Sequence, residues 1–473
     1  MDIRRKTKIL ATLGPASDTP EIVERLILAG AGGFRFNFSH GNHDYFRRLS
    51  ETVRATSEKV GKPVAILQDL QGPKIRTGTL VEGKPVHLIP GTRFVITTRP
   101  IEGNAMIVST SYSGLPKDVK PGDKILVDDG AMELKVLQVQ DTDVETEIVT
   151  GGLLQEKQGI NLPGVNVSAP SLTEKDKADA LFGKELSVDY VALSFVRSAA
   201  DLRKLREVLE TADSRIIAKI EKPEAVKNLS EILEVSDGVM VARGDLGVEL
   251  PAERIPLLQK MIIEHANRAE KLVITATEML ESMVDHTRPT RAEASDVANA
   301  ILDGTDVLML SQETAVGLYP EKVVKTMASI AEFTESDEDV FRNTERIRPQ
   351  HLVNFTHAIV HSARMAAEVM KAKAILVFTQ SGYTAELASC QRPPCPIFAF
   401  TPNKRVLQIL SLVWGVYPIL IQDMVDYNIM VQRAEQKLLE ENLLQKGDAV
   451  VVVSGTQPVR GATNMMKMGR IGM

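Results

Sequence analysis

The apolar positions of this chain recur in short runs that break off in charge. Eight runs occupy its first two thirds: KILATLG from Lys8, GGFRFNF from Gly32, PVAILQDL from Pro63, YVALSF from Tyr190, RIIAKIE from Arg215, GVMVAR from Gly238, LVITAT from Leu272 and DVLMLS from Asp306. Each is too short for a globular helix and is bounded by polar residues, the pattern of a strand buried on both faces of a parallel sheet. Between most of them the apolar spacing is helical, as in PEIVERLILAGA, AADLRKLREVLETA, LLQKMIIEHANRAEK and RAEASDVANAILDG. Eight strands alternating with helices predict an α/β fold closed into a (β/α)8 barrel rather than an open sheet.

The alternation breaks once. From Asp69 to about Ser168 the helical period is replaced by alternating strands, RFVITT, KILVDDG, MELKVLQVQ and DVETEIVT, punctuated by Pro-Gly and Asp-Gly turns. This predicts a small β-barrel domain over residues 72–168, inserted after the third barrel strand. An insertion at that end of a strand stands over the barrel's active face and suits a lid. The barrel then comprises residues 1–71 and 169–343. An acidic stretch, ESDEDVFRNTERIRPQ, reads as a linker, and AILVFT, PIFAF, VYPILI and AVVVVSG predict an open-sheet α/β domain over 344–473.

Composition narrows the class. The 473 residues are 44% hydrophobic and 25% charged with a net charge of −6, which fits a multidomain globular protein and argues against a nucleic-acid partner. Two cysteines, Cys390 and Cys395, cannot make a disulfide framework and read as free thiols. No segment has the length of a membrane span and the N-terminus lacks a signal-peptide core, so the expected location is the cytoplasm.

The chemistry lies at the strand ends. Lys219 and Glu221 are two apart on an extended segment and share a side. With Asp245 in the ARGDLG turn they offer two carboxylates beside a fixed cation, suited to a divalent ion and phosphoryl or enolate chemistry. Other strand ends supply Arg35, Asn37, Phe38, Ser39, His40, Asp69, Lys74, Arg76, Arg243, Thr277, Glu278, Ser311 and Glu313. Arg35 and Arg76 carry the fork that grips phosphate oxygens, and the Gly244-Asp245-Leu246-Gly247 turn opens a short helix whose amides suit a carboxylate. Each charge alone reads best as a solvated surface group; so many suitable ones on strand ends reverse that reading.

TKILATLGPAS, FRFNFSHG, DLQGPKIRTG, GINLPG, KIEKPEAV, VARGDLGVE, ATEMLESM, PTRAEASDVANAILDGTDVLMLSQETAVGLYP and FTQSGYTAELAS together resemble the pyruvate kinase family from end to end. The resemblance implies transfer of the phosphoryl group of phosphoenolpyruvate to ADP, giving pyruvate and ATP, in a cytoplasmic homotetramer with no nucleic-acid or membrane partner. It implies Arg35, Lys219 and Thr277 as catalytic residues, with Gly244 and Asp245 completing the substrate site. It implies that Glu221 and Asp245 hold Mg²⁺, for which Mn²⁺ is expected to substitute. Asn37, Phe38, Ser39, His40 and Arg76 approach the nucleotide. Asn37, Ser39, Asp69 and the Leu70 carbonyl match the family's K⁺ site. Thr379, Ser381, Gly382 and Thr384, with the loop Ser454–Thr463, match an effector phosphate site, for which a sugar monophosphate or AMP is expected.

Departures from the family pattern qualify this. Potassium-dependent members usually read DTKGPE where this chain has Asp69-Leu70-Gln71-Gly72-Pro73-Lys74. The Lys74 ammonium is expected to supply the charge of the monovalent ion and make K⁺ dispensable. A lysine usual before GINLPG is replaced by Gln158, with Lys157 one step earlier. SQETA and EML stand for the usual SGETA and QML. The rival readings are a metal-dependent lyase or aldolase on the same barrel, against which the lid and the Arg35/Arg76 pair argue, and an inactive metabolite sensor, against which the intact Lys219, Glu221 and Asp245 argue.

Overall fold

The computed structural model describes residues 3–210, 213–337, 354–422, 427–455 and 463–473. The eight predicted runs form one closed parallel barrel: β1 (Lys8–Thr12), β2 (Gly33–Asn37), β3 (Ala65–Asp69), β12 (Tyr190–Leu193), β13 (Arg215–Ile220), β14 (Gly238–Ala242), β15 (Leu272–Ala276) and β16 (Val307–Leu310). β12 pairs directly with β3, so the insertion leaves the barrel uninterrupted.

The pleat decides which side chains meet at the mouth. One parity of each strand faces the surrounding helices, as Ile9, Ile66, Val191, Ile216 and Ala218 do. The other fills the barrel interior with Leu10, Leu67, Ala192, Ile217, Ile274 and Met309. Followed two residues at a time toward the C-terminal ends, the interior parity arrives at Thr12, Arg35, Asp69, Ser194, Lys219 and Glu221. The positions that pack the core thus aim the polar residues into one space.

The insertion contains β4 (Val86–Leu88), β5 (Arg93–Thr97), β6 (Ile107–Ser109), β7 (Lys124–Val127), β8 (Met132–Gln140), β9 (Asp143–Thr150), β10 (Gly152–Leu154) and β11 (Ile160–Asn161). Six strands run in the order β11-β7-β8-β9-β5-β6, and β10 pairs with β4. Bridges from Arg76 to Gly159 and from Thr77 to Thr110 join the two edges of the six-stranded sheet through the segment after Lys74. The closed sheet has its own core, including Phe94, Ile125, Leu134 and Val144. It leaves the barrel through Gly72, which has φ +68° and whose added Cβ would lie 2.6 Å from the Phe195 ring, so the hinge requires glycine there.

The C-terminal sheet runs β19 (Val416–Leu420), β18 (Ile397–Thr401), β17 (Ala374–Phe378), β20 (Ala449–Gly455), β21 (Thr463–Arg470). β21, antiparallel to β20, was not expected. It is an edge strand with half of its residues exposed, so it carries no apolar run to betray it. One expectation changes locally. Glu335 belongs to the helix Pro320–Ser336, where it is buried and accepts from the Lys6 and Thr7 amides, rather than to a linker. The helix after β17 begins at Tyr383. The rest of the linker, including the boundary at 343/344, lies outside the described residues, as do 456–462 of the loop expected to close over an effector. Ile409 and Leu412 of the C-terminal domain join the barrel's interior cluster and plug its N-terminal end.

Candidate active site

Lys219 sits at the centre of the mouth. Its Nζ lies 2.7 Å from Glu221 Oε1, 3.3 Å from Asp69 Oδ1 and 2.8 Å from Ser194 Oγ. The Lys219, Asp69 and Glu221 side chains are 11%, 2% and 1% exposed, so their charges act with little screening. Burial pulls the Lys219 pKa down, but Asp69, Glu221 and Asp245 outweigh it and leave it raised. Burial likewise pushes Asp69 up, yet Lys219 and Arg35 hold it below the usual carboxylate range. Glu221 is raised, first by burial and also by Asp245, against the pull of Lys219. A cation placed between Glu221 and Asp245 relieves that repulsion; among the described residues no cluster of three or more metal-type side chains competes for one.

Arg35 donates from Nε to Asp69 Oδ2 at 2.7 Å and from Nη1 to Thr12 Oγ1 at 3.2 Å, fixing its plane and leaving Nη2 for a ligand. Glu221 Oε2 accepts from the Phe195 amide at 2.8 Å, and Phe195 has φ +56°. Ser194 donates to the Leu70 carbonyl at 2.7 Å. Ser194 and Thr12 were not singled out from sequence, although each follows a buried strand on the interior parity.

Thr277 and Glu278 both take positive φ, +68° and +53°. Arg243 holds that turn, donating to Thr277 O at 2.6 Å and Ala276 O at 3.2 Å while pairing with Asp296 at 2.6 Å. It is a brace rather than a free cation. Thr277 Oγ1 accepts from the Gly244 amide at 2.8 Å, so a carboxylate bound there displaces this bond. Glu313 is not part of the open set: it is buried and accepts from the Ser311 and Leu280 amides.

One cavity of about 1430 Å³ joins Thr12, Arg35, Asn37, His40, Lys74, Arg243, Gly244, Asp245, Thr277, Glu278 and Ser311. Burial lowers the His40 pKa, and Arg76, Lys74 and Arg35 lower it further, so four nitrogen groups converge on the loop after β2. The Phe38 side chain lies in the core against Phe46, with ring centroids 4.1 Å apart, its amide donates to the Asp69 carbonyl at 3.0 Å and its carbonyl accepts from Lys175 Nζ at 2.9 Å, so it has no open donor for a nucleotide. Arg76 is tied to the Lys157 carbonyl at 2.9 Å. Gln158 turns back to accept from the Gln155 amide, while Lys157 stays exposed. The expected K⁺ ligands are largely engaged: Asp69 with Arg35 and Lys219, the Leu70 carbonyl with Ser194, and Asn37 Oδ1 with the Ser39 amide at 3.2 Å. In the C-terminal domain Thr379 Oγ1 accepts from the Gly382 amide at 3.0 Å and Thr384 Oγ1 lies 2.6 Å from Thr463 Oγ1, leaving Ser381 as the half-buried hydroxyl of that loop.

Residues 4–324 match the family model described as pyruvate kinase, barrel domain, and residues 357–468 the model described as pyruvate kinase, alpha/beta domain. The chain is 46% identical to a pyruvate kinase of Sporosarcina psychrophila, covering 99% of this chain and 81% of that protein. It is 45% identical to a pyruvate kinase of Corynebacterium glutamicum, covering 99% and 98%. A crystal structure of a pyruvate kinase from Cryptosporidium parvum superposes with a TM-score of 0.93 at 36% identity, covering 99% of this chain and 96% of that one.

Proposed function

The chain belongs to the pyruvate kinase family and is a phosphotransferase acting on phosphoenolpyruvate and ADP, and from that premise we propose how its own residues carry the reaction. The observation that supports the assignment most is Lys219, held charged between Asp69 and Glu221 at the mouth of the barrel. Phosphoryl transfer is catalysed by fixed positive charge around the moving group. Lys219 and the free face of Arg35 grip the phosphate oxygens. The bond from phosphorus to the enol oxygen breaks, a bond to the terminal ADP oxygen forms, and the enolate takes a proton to give pyruvate. Thr277 and the amides of Gly244 and Asp245 hold the substrate carboxylate. The Asn37–His40 loop, with the His40 side chain, and Arg76 receive the nucleotide phosphates.

The family generally needs Mg²⁺ and K⁺. Glu221 and Asp245 fit a divalent ion, which when bound neutralises charge on the phosphoryl oxygens. For K⁺, Lys74 reaches the same cavity as Arg35 and Asp245 and bears on His40, and Asp69 is already neutralised by two cations. Both features favour activity without the monovalent ion. A phosphorylated effector, a sugar monophosphate or AMP, at Ser381–Thr384, a homotetrameric state and a cytoplasmic location complete the reading. No described helix is long and apolar enough to cross a membrane.

The test is a coupled pyruvate assay titrated with Mg²⁺. Asp245→Asn is expected to raise the Mg²⁺ concentration for half-maximal rate about tenfold or more, the loss of one charge-assisted ligand. An unchanged Mg²⁺ curve contradicts the metal assignment.

A further inference from the structure

The strand that delivers Lys219 and Glu221 starts at the opposite end of the barrel, against the C-terminal domain. Its first residue, Arg215, pairs through Nη2 with Glu386 Oε1 at 2.8 Å and lies 3.8 Å through Nη1 from Asp237 Oδ1. Glu386 stands on the helix Tyr383–Cys390, which follows the Thr379–Gly382 loop. The Arg215 and Glu386 side chains are 21% and 27% exposed, so the pair is largely withdrawn from water.

The same helix is pinned at its far end. Arg392, two residues beyond it and 3% exposed, reaches Asp306 at 2.7 Å, Asn267 Oδ1 at 2.7 Å and the Gly304 carbonyl at 2.9 Å, with its guanidinium over Trp414. Asp306 directly precedes β16 and accepts from the Val273 amide of β15. Between the two pins lies a cavity of about 200 Å³ whose lining includes Arg215, Asp237, Asp306, Tyr383, Glu386 and Cys390. The helix is thus held to the barrel at both ends, by Arg392 against β15 and β16 and by Glu386 against the start of the catalytic strand.

We propose that Arg215 is a positioning residue, and that the Glu386–Arg215 pair lets the C-terminal domain set where β13 places Lys219 and Glu221. From Arg215 to Lys219 is four residues of extended chain, roughly 13 Å. β13 is hydrogen-bonded on both sides to β12 and β14, so a displacement at its start is carried along it rather than absorbed by a loop. The proposal rests on the reading in which Lys219 and Glu221 serve the transfer. It requires no effector, because the contact is present in the free chain.

The test is a double-mutant cycle on the full-length enzyme with Arg215→Ala, Glu386→Ala and the double variant. Read out are kcat, the KM for phosphoenolpyruvate, the Mg²⁺ concentration for half-maximal rate, and Tm. Each single variant is expected to lower kcat about fivefold or more, the low end of coupling between sites. Each is also expected to raise the Mg²⁺ requirement, because Glu221 rides on the same strand. The double variant should lose no more than the worse single one, and Arg215→Lys should recover most of the activity. Unchanged kcat and Mg²⁺ requirement with a lowered Tm make the pair interdomain glue and overturn the proposal, as do losses that add in the double variant. Should Arg215→Ala fail to fold, Glu386→Gln keeps the side chain's shape without its charge, and full activity in that variant overturns the proposal equally. Lys219→Met in the same assay separates the two claims: if it retains normal turnover, the catalytic reading fails on its own.

Discussion

Lys219 is held by three partners that differ in kind. Asp69 and Glu221 fix its charge, while Ser194 Oγ, 2.8 Å from Nζ and bonded in turn to the Leu70 carbonyl, fixes its direction. Ser194→Ala leaves the charge and removes the aim. The expected result is a kcat lowered about tenfold, the scale of one hydrogen bond to a charged group, with the KM for phosphoenolpyruvate within about twofold. Unchanged turnover in steady-state kinetics contradicts a positioning role for Ser194. At this scale the sequence was legible in part. Charged residues at strand ends stand out against apolar runs, so Lys219, Glu221 and Asp245 were visible. Ser194 and Thr12 were not, because a hydroxyl after a buried strand looks like any strand end until its partners are known. Arg243 and Glu313 were visible but misjudged, since a buried charge spent on bracing backbone has the same one-letter code as one offered to a ligand.

Among the elements, the barrel was read almost strand for strand, because runs buried on both faces leave an unbroken apolar signature. The edge strand β21 leaves none. The hinge of the lid is where element and chemistry meet. Gly72 turns the chain at positive φ, its amide bonds Asp176 at 3.0 Å, and two residues later Lys74 enters the substrate cavity. The ammonium is thereby delivered by a turn that the Gly72 conformation and its Asp176 bond define. Near-full activity is expected in K⁺-free buffer with tetramethylammonium as counter-ion, and Lys74→Glu is expected to make the enzyme dependent on K⁺. Strong activation of the unaltered enzyme by K⁺ contradicts this account of the DLQGPK hinge.

Across the whole molecule, the C-terminal domain seals the barrel floor with apolar side chains and covers lysines at the start of the barrel. Lys8 donates to the Val416 carbonyl at 2.6 Å and lies over the Tyr417 ring. Burial pulls its pKa down to about 7, Arg5 pushes the same way, and Glu335 opposes. An unfolded lysine titrates near 10.4. Above about pH 7 the unfolded chain therefore binds more protons here than the folded one, so this site makes stability rise with pH. Lys6, lowered to about 8 by burial, adds to the upper part of the window. Glu281, raised to about 7 chiefly by burial, acts in the opposite sense but only below that pH. Lys8→Met is expected to flatten the rise of Tm between pH 7 and 9 measured by calorimetry; an identical slope in the variant contradicts the assignment. This interface could not be read from sequence, because lysines in the first strand look solvated until the second domain covers them.

Catalysis turns on fixed charge at the mouth of the barrel meeting the phosphoryl group as it moves. The most direct measurement is the steady-state kinetics of Lys219→Met with phosphoenolpyruvate, ADP and saturating Mg²⁺. The charge matters most where it spreads over the transferred oxygens, so kcat should fall by roughly a hundredfold or more while the KM for phosphoenolpyruvate changes little. A raised KM with normal turnover would contradict it.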